Sequence, residues 1–229
     1  MKTIGLIGGL TWYSTLDYYR LLNELAHKEL GGSHAAKIIL NSVDFGEIEV
    51  LTKIQDWDGL AVIMCKAAKA IELAGADCVM IGANTMHKIA DEVQAAISVP
   101  VIHIADAVAA SIKGKGLKKV ALLGTKYTMQ LEFYRTRLAA SGIDVIIPAE
   151  SDIELINDSI YNEFSKGVFL PERKLQYLQI IRSLTGQGAE GVILGCTEIP
   201  ILIKQEDCTV PVFDTAFIHA EAAVRFATV

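Results

Sequence analysis

The sequence predicts an α/β fold made of two parallel-sheet domains related by pseudosymmetry. Two observations predict it: short apolar runs alternate with longer segments of helical periodicity, and the second half of the chain repeats the pattern of the first. At 229 residues the chain is long enough for two small domains with buried cores.

The alternation begins with apolar runs that are too short to be helices. Strands are predicted for residues 3–7, 37–43, 78–81, 101–104, 119–123, 144–148, 191–194 and 210–213. Helix-length segments lie between them, the clearest at residues 15–30, 59–73 and 129–140. Because parallel strands need crossover connections, this order indicates parallel sheets with helices on their faces.

Three stretches of the first half recur in the same order in the second half. The pairs are KTIGLIG at 2–8 with KKVALLG at 118–124, GADCVMIGA at 75–83 with GAEGVILGC at 188–196, and VPV at 99–101 with VPV at 210–212. Any one match could be chance, but three in order predict a duplicated α/β unit. The predicted domains are residues 1–98 with 213–229, and residues 99–212.

The duplication makes the loop after residue 81 equivalent to the loop after residue 194. In open α/β sheets, ligands bind beyond the carboxyl ends of the strands. If the two halves pack face to face, the loop tips at Ala83 and Cys196 confront each other across one cleft, where we expect the active site.

Composition and charge exclude several classes of protein. The formal net charge of −6 and the lack of a Lys/Arg run argue against a nucleic-acid partner. No apolar stretch is long enough to span a bilayer, and the N-terminal segment lacks the pattern of a signal peptide, so we expect a cytoplasmic protein that binds no membrane. The four cysteines form no C-x-x-C pair and have no histidines at zinc spacing, so no metal site is predicted.

The loop at residues 8–15 is a candidate anion-binding turn. Gly8 and Gly9 follow a strand and precede a helix, a placement that can expose backbone N–H groups. It matches neither the dinucleotide fingerprint nor the P-loop. An ordinary turn capped by Ser14 or Thr15 explains the pattern equally well.

The equivalent loops after the third strand of each half carry the stronger candidates. Asn84 and Thr85 in one, and Thr197 and Glu198 in the other, suit either a helix cap or a bound carboxylate. Capping does not explain the Cys196 thiol, which we interpret as functional. A helix N-terminus would lower the pKa of this thiol, while Glu198 would raise it.

Other polar residues have two interpretations. His87 follows the first of these loops by one helical turn and is the best histidine candidate, although a lone histidine is more often a packing residue. Lys166 lies in a polar break between helices, where it is either solvated or receives the distal carboxylate of a substrate.

Taken together, these motifs resemble the aspartate/glutamate racemase family, most closely its bacterial branch specific for L-aspartate and L-glutamate. The resemblance runs nearly from end to end, through GGLTWYST at 8–15, NSVDF at 41–45, NTMHK at 84–88, HIAD at 103–106, GCTEI at 195–199 and VPVFDT at 210–215. The combination is specific, whereas each single motif is weaker.

The resemblance implies two Rossmann-like domains with the active site between them, a homodimer, an acidic amino acid as substrate, and neither pyridoxal phosphate nor metal as cofactor. It implies a two-base mechanism in which one thiol removes the α-proton and an opposite group returns one. By position Cys196 is the acid or base on one face. The residues implied to bind substrate or shape its pocket are Trp12, Ser14, Asn84, Thr85, Lys166, Thr197 and Glu198.

Ala83 departs from the family pattern. Members place cysteine there, or threonine in the L-specific branch, and alanine can neither give nor take a proton. Natural variation, a deliberate replacement, and a reaction that needs one proton donor remain open. The last would make the chain a one-cysteine decarboxylase of the arylmalonate type. Besides the racemase and the decarboxylase, a catalytically silent dicarboxylate-binding protein is the third candidate function.

Overall fold

Two parallel sheets form the centres of the two compact units in a computed structural model, which describes residues 1–229. The first unit comprises Met1–Ile104 and His219–Val229, and the second comprises Ala105–Ile218. Residues 99–104 therefore belong to the first unit and residues 213–218 to the second, on the other side of each predicted boundary.

The first sheet has three strands in the order β2-β1-β3. The elements of the first unit run β1 (Ile4–Gly8), α1 (Trp12–Leu30), β2 (Ile38–Ser42), α2 (Phe45–Lys53), α3 (Trp57–Leu73), β3 (Cys78–Ile81), a 3₁₀ turn (Thr85–Ile89) and α4 (Ala90–Ala96). The next helix, α5 (Ile104–Gly114), begins at the last residue of the segment Met1–Ile104 and continues into the second unit. Every residue of β1 and β3 is buried, which explains why these strands are apolar runs without alternation.

The second sheet has four strands in the order β5-β4-β6-β7. The elements of the second unit run β4 (Lys119–Gly124), α6 (Lys126–Gln130), α7 (Glu132–Ala140), β5 (Asp144–Ile146), α8 (Glu150–Asn162), a 3₁₀ turn (Phe164–Lys166), α9 (Pro171–Gly186), β6 (Val192–Gly195), α10 (Ile199–Leu202), a 3₁₀ turn (Gln205–Asp207) and β7 (Val212–Asp214). The last helix, α11 (Thr215–Thr228), begins in the second unit and ends in the first. The predicted α/β class with two parallel sheets is confirmed.

The strand registers agree with the duplication. Gly5 pairs with Val79 in the first sheet, and the equivalent Ala121 pairs with Val192 in the second. In both sheets the first strand of the unit is central and pairs with the second and third. The repeat in the sequence is therefore also a repeat in backbone pairing.

The predicted strand at residues 101–104 is wrong. Val101 forms only an isolated bridge with Val79, and α5 already begins at Ile104. The N–H of Val101 donates to Gln94 Oε1 at 2.7 Å. The counterpart in the second unit does extend into the short strand β7.

In both units a glutamine side chain forms two hydrogen bonds with the backbone of the equivalent Val-Pro-Val segment, and this pair of bonds is the glutamine closure of the unit. Gln94 Nε2 donates to the carbonyl of Val99 at 3.2 Å. Gln205 Oε1 accepts from Val212 N–H at 2.9 Å, and its Nε2 donates to the carbonyl of Val210 at 3.1 Å. This pair of equivalent glutamines was not predicted.

The predicted helix at residues 129–140 is divided in two. Leu131 has an extended backbone, with φ −74° and ψ 147°, and separates α6 from α7. The chain starts α6 earlier because Thr125 caps it by accepting from Thr128 N–H at 3.3 Å.

Each unit has its own apolar centre. In the first, α3 packs on the sheet through buried residues that include Leu60, Met64, Ile71, Ile7 and Val79. In the second, the largest fully buried side chains are Tyr134, Phe164, Tyr177 and Phe213. No helix is both long enough and apolar enough to cross a membrane.

Candidate active site

The loop after β1 is held by its own side chains. Gly9 has φ +78°, and a Cβ there would collide with the carbonyl oxygen of Val43, so glycine is required. The N–H of Gly9 donates to Thr15 Oγ1 at 2.7 Å. That hydrogen bond occupies one of the N–H groups that could otherwise bind an anion.

The cap of α1 differs from the expected one. Thr11, and neither Ser14 nor Thr15, is the N-cap, and it accepts from Ser14 N–H at 3.3 Å. Ser14 itself is buried, and its hydroxyl lies 3.0 Å from that of Thr11. Trp12 is more than half exposed in the first turn and stacks on Tyr13.

The loop after β3 contains Ala83, Asn84 and Thr85. Asn84 and Thr85 are buried, whereas Ala83 is half-buried. The N–H of Ala83 donates to the carbonyl of Ile81 at 2.8 Å, which makes a tight turn at the strand end. The polar side chains thus lie at the carboxyl end of a central parallel sheet, where the duplication predicts them.

The equivalent loop after β6 brings three polar side chains together. Cys196 Sγ–H donates to Glu198 Oε2 at 2.9 Å, and Thr197 Oγ1–H donates to the same oxygen at 2.7 Å. Thr197 and Glu198 are buried, and Cys196 is half-buried. Glu198 Oε2 is therefore in direct contact with the Cys196 thiol and is placed to accept its proton.

The surroundings of Cys196 favour the protonated thiol. Burial raises the pKa of Cys196 well above its ordinary value, and the Glu198 carboxylate raises it further. The backbone N–H groups of Thr197 and Glu198 act in the opposite direction but do not outweigh these effects. Of the two opposing influences expected from the sequence, the carboxylate therefore prevails over the helix N-terminus.

Lys166 is exposed to solvent, whereas His87 is buried. Lys166 is exposed at the end of the 3₁₀ turn Phe164–Lys166. His87 is buried, and its ring lies 4.6 Å from that of His103 and 5.4 Å from that of His219, centroid to centroid. Sequence patterns gave no sign that these three histidines form one cluster, because His219 is distant along the chain.

No group of three or more His, Cys, Asp or Glu side chains is arranged to hold a metal ion. The thiol and carboxylate at the end of β6, together with hydroxyl and amide groups, are groups suited to proton transfer and carboxylate binding. Acid/base groups at the carboxyl ends of parallel strands, where α/β proteins bind their ligands, are typical of enzymes that act on small molecules.

The chain belongs to the Asp/Glu/Hydantoin racemase family, which it matches over residues 7–223. A Yersinia pestis structure described as a candidate Asp/Glu racemase is 47% identical, with all of both chains covered and a TM-score of 0.94. An aspartate racemase homologue from Pyrococcus horikoshii OT3 is 39% identical, again over all of both chains, with a TM-score of 0.88. The broad specificity amino-acid racemase RacX of Bacillus subtilis (strain 168) is 23% identical over 233 residues, 96% of each chain.

Proposed function

We propose that the protein is a cofactor-independent isomerase that removes and returns the α-proton of aspartate or glutamate through Cys196, with inversion limited because residue 83 is alanine. The observation that carries the proposal is the direct hydrogen bond from Cys196 Sγ–H to Glu198 Oε2. Membership of a family of amino-acid racemases supports the reaction class.

The reaction starts from the protonated thiol. Cys196 transfers its proton to Glu198 along the existing hydrogen bond, which leaves a thiolate. Sγ then takes the α-proton as the Cα–H bond breaks, and the electron pair is delocalised into the substrate carboxylate. Reprotonation from Sγ restores the same enantiomer, whereas a proton from the opposite face inverts it.

Hydrogen-bond donors must stabilise the charge that develops on the substrate carboxylate. We assign this role to Asn84 and Thr85 at the end of β3 and to Thr197 at the end of β6, whose hydroxyl turns from Glu198 Oε2 to the substrate on binding. We assign Trp12, Ser14 and Lys166 to the pocket around the substrate. Glu198 acts mainly on Cys196 in this scheme, because its Oε2 already accepts from the thiol and from Thr197.

Exchange in D₂O tests the proposal. Each enantiomer of aspartate and glutamate is incubated with the protein, and loss of the α-proton is followed by NMR while inversion is followed by chiral chromatography. We expect one enantiomer to exchange faster than it inverts. Cys196→Ser should abolish exchange, whereas Cys208→Ser, which changes another half-buried thiol, should retain it. Absence of exchange with all four substrates would contradict the proposal.

A one-thiol decarboxylase is a second candidate. The raised pKa of Cys196 keeps the thiol protonated, and a protonated thiol is what a carbanion left by loss of CO₂ requires. Release of CO₂ from an aryl-substituted malonate, without exchange of any amino acid, would favour this reaction. Binding of dicarboxylates with neither reaction would indicate a binding protein.

We further propose that the protein works in the cytoplasm as a homodimer. Leu16 and Tyr19 are more than half exposed on α1, and residues three apart share a helix face. Such exposed apolar side chains suit a contact between copies. Sedimentation equilibrium should give twice the chain mass of 24.8 kDa.

A further inference from the structure

The ring of His87 makes two hydrogen bonds with the backbone. Nδ1 lies 2.8 Å from the carbonyl oxygen of Ala83, and Nε2 lies 3.2 Å from the backbone nitrogen of Ile104. The side chain is only 2% exposed. One imidazole therefore joins the loop after β3 to the first residue of α5, which is distant in the sequence.

The partners determine where the ring carries its proton. A carbonyl oxygen only accepts, so Nδ1 must carry hydrogen, and a backbone N–H only donates, so Nε2 must present its lone pair. The ring is thus neutral and in a single tautomer. Because both nitrogens are engaged, His87 is not placed to exchange a proton with a substrate, although it was the best histidine candidate from the sequence.

The second unit holds the equivalent carbonyl differently. The carbonyl of Cys196 accepts from the backbone N–H of Ile199 at 3.3 Å, within the start of α10. The carbonyl of Ala83 accepts instead from a side chain. Since carbonyl oxygen and the next N–H lie on opposite sides of a trans peptide, the bond to His87 directs the N–H of Asn84 away from the ring.

We propose that His87 is a positioning residue that fixes the Ala83–Asn84 peptide, and thereby sets the geometry in which this loop binds the substrate's α-carboxylate. The inference rests on the proposed function, which assigns carboxylate binding to Asn84 and Thr85. The Nδ1–H bond carries this role, while the bond from Ile104 N–H fixes the tautomer that places the hydrogen on Nδ1.

Two isosteric substitutions separate the two hydrogen bonds. In His87→Asn the side-chain amide nitrogen occupies the place of Nδ1 and can still donate to Ala83. In His87→Gln the amide oxygen reaches the place of Nε2 and can still accept from Ile104. Each variant loses one bond and retains the other, so a general loss of packing would affect both alike.

We expect His87→Asn to keep KM for the exchanging amino acid within about threefold, and His87→Gln to raise KM by about tenfold with kcat changed less. His219→Asn is the matched control, since it removes another buried histidine of the cluster that does not touch Ala83. Equal effects of the Asn and Gln variants on KM, or a rise in KM for the control as large as that for Gln, would overturn the proposal.

NMR of the ¹⁵N-histidine-labelled protein tests the same inference without substrate. His87 should show a protonated Nδ1 and an unprotonated Nε2 at neutral pH. The amide resonance of Asn84 should shift further in His87→Gln than in His87→Asn, since loss of the ring current is common to both variants. An Nε2–H tautomer or a protonated ring would overturn the positioning role even in an active enzyme. Lack of amino-acid exchange together with the expected tautomer and amide shifts would instead overturn the proposed function alone.

Discussion

The loop after β3 and the loop after β6 occupy equivalent places in two copies of one unit, yet different groups stabilise them. In the first, a neutral imidazole holds the carbonyl of Ala83. In the second, a carboxylate accepts from the thiol of Cys196 and from the hydroxyl of Thr197. The first loop is thus tied to a buried side chain but has no acid/base group at its tip, whereas the second has a thiol in contact with a proton acceptor.

The difference shows which features of the duplicated unit are structural. Strand register and the glutamine closures at Gln94 and Gln205 recur in both units. The side chains at the loop tips do not recur. Backbone scaffolding has been retained in both copies, while chemical groups have diverged, and each of the following experiments tests one part of that division.

Ala83→Cys should have the largest effect, because it would place a thiol at the position equivalent to Cys196. Ala83 is half-buried, so its side chain can be enlarged at modest cost. A second acid/base group is worth ~10²–10⁴ in rate, and we expect inversion relative to exchange to rise about 10³-fold. Chiral chromatography in D₂O measures the ratio. Ala83→Ser is the control of similar size, and an unchanged ratio in the Cys variant would show that position 83 supplies no second base.

The acid stability of the first unit should depend on His219. Burial lowers the pKa of His219 to about 4, while its hydrogen bond with the carbonyl of Ile102 acts in the opposite direction. A folded-state pKa below the unfolded value means that this stabilisation is present above pH ~6.5 and is lost as the pH falls toward ~4, by about 3 kcal/mol in total. The raised pKa of Cys196 has the opposite sign, so its stabilisation is lost at alkaline pH.

Hydrogen exchange followed by mass spectrometry can measure the loss of stability at acid pH for each unit. Protection of first-unit peptides should decrease between pH 6.5 and 4 in the wild type and change less in His219→Gln. His34→Gln, at an exposed position of the same unit, is the control. Identical acid profiles for the wild type and His219→Gln would remove His219 from the explanation.

The duplicated strands and the residues at their ends could be predicted from the sequence, because buried parallel strands are unbroken apolar runs and the repeat fixes which ends are equivalent. The cap of α1 could not, because Thr11, Ser14 and Thr15 are all able to cap and only the backbone conformation selects Thr11. The extra strand at residues 101–104 was predicted because apolar periodicity does not show that α5 begins at Ile104 and leaves only Val101 in a bridge with Val79.

The chemical state of the site was harder to predict than its location. Sequence neighbours identified Glu198 as an influence on Cys196, but burial, the largest cause of the raised pKa, depends on the folded surroundings. The role of His87 depends on Ile104, which is not a neighbour in the sequence. Assignments of this kind need three-dimensional contacts, whereas the positions of loop tips need only the repeat.

Glu198→Gln tests the distinctive contact of the second loop. Removing the carboxylate should lower the pKa of Cys196, because Glu198 raises it, and the alkaline absorbance titration of the thiolate should move to lower pH. Exchange at neutral pH should nevertheless slow by about tenfold, since the thiol loses its proton acceptor. Glu190→Gln is the control, as its carboxylate accepts only from the backbone N–H groups of residues 118 and 119. An unchanged titration midpoint would contradict the assigned contact.

The smallest effects should come from the shared scaffold. Gln94→Ala and Gln205→Ala each remove two exposed hydrogen bonds to equivalent backbone segments, and each should lower the free energy of unfolding of its unit by about 1 kcal/mol. Local hydrogen exchange around residues 99–101 and 210–212 measures the two losses separately. Similar losses would establish that the equivalent glutamine hydrogen bonds stabilise the two units to the same extent. A loss confined to Gln205→Ala would mean that the short strand β7 depends on the closure, whereas the isolated bridge at Val101 does not.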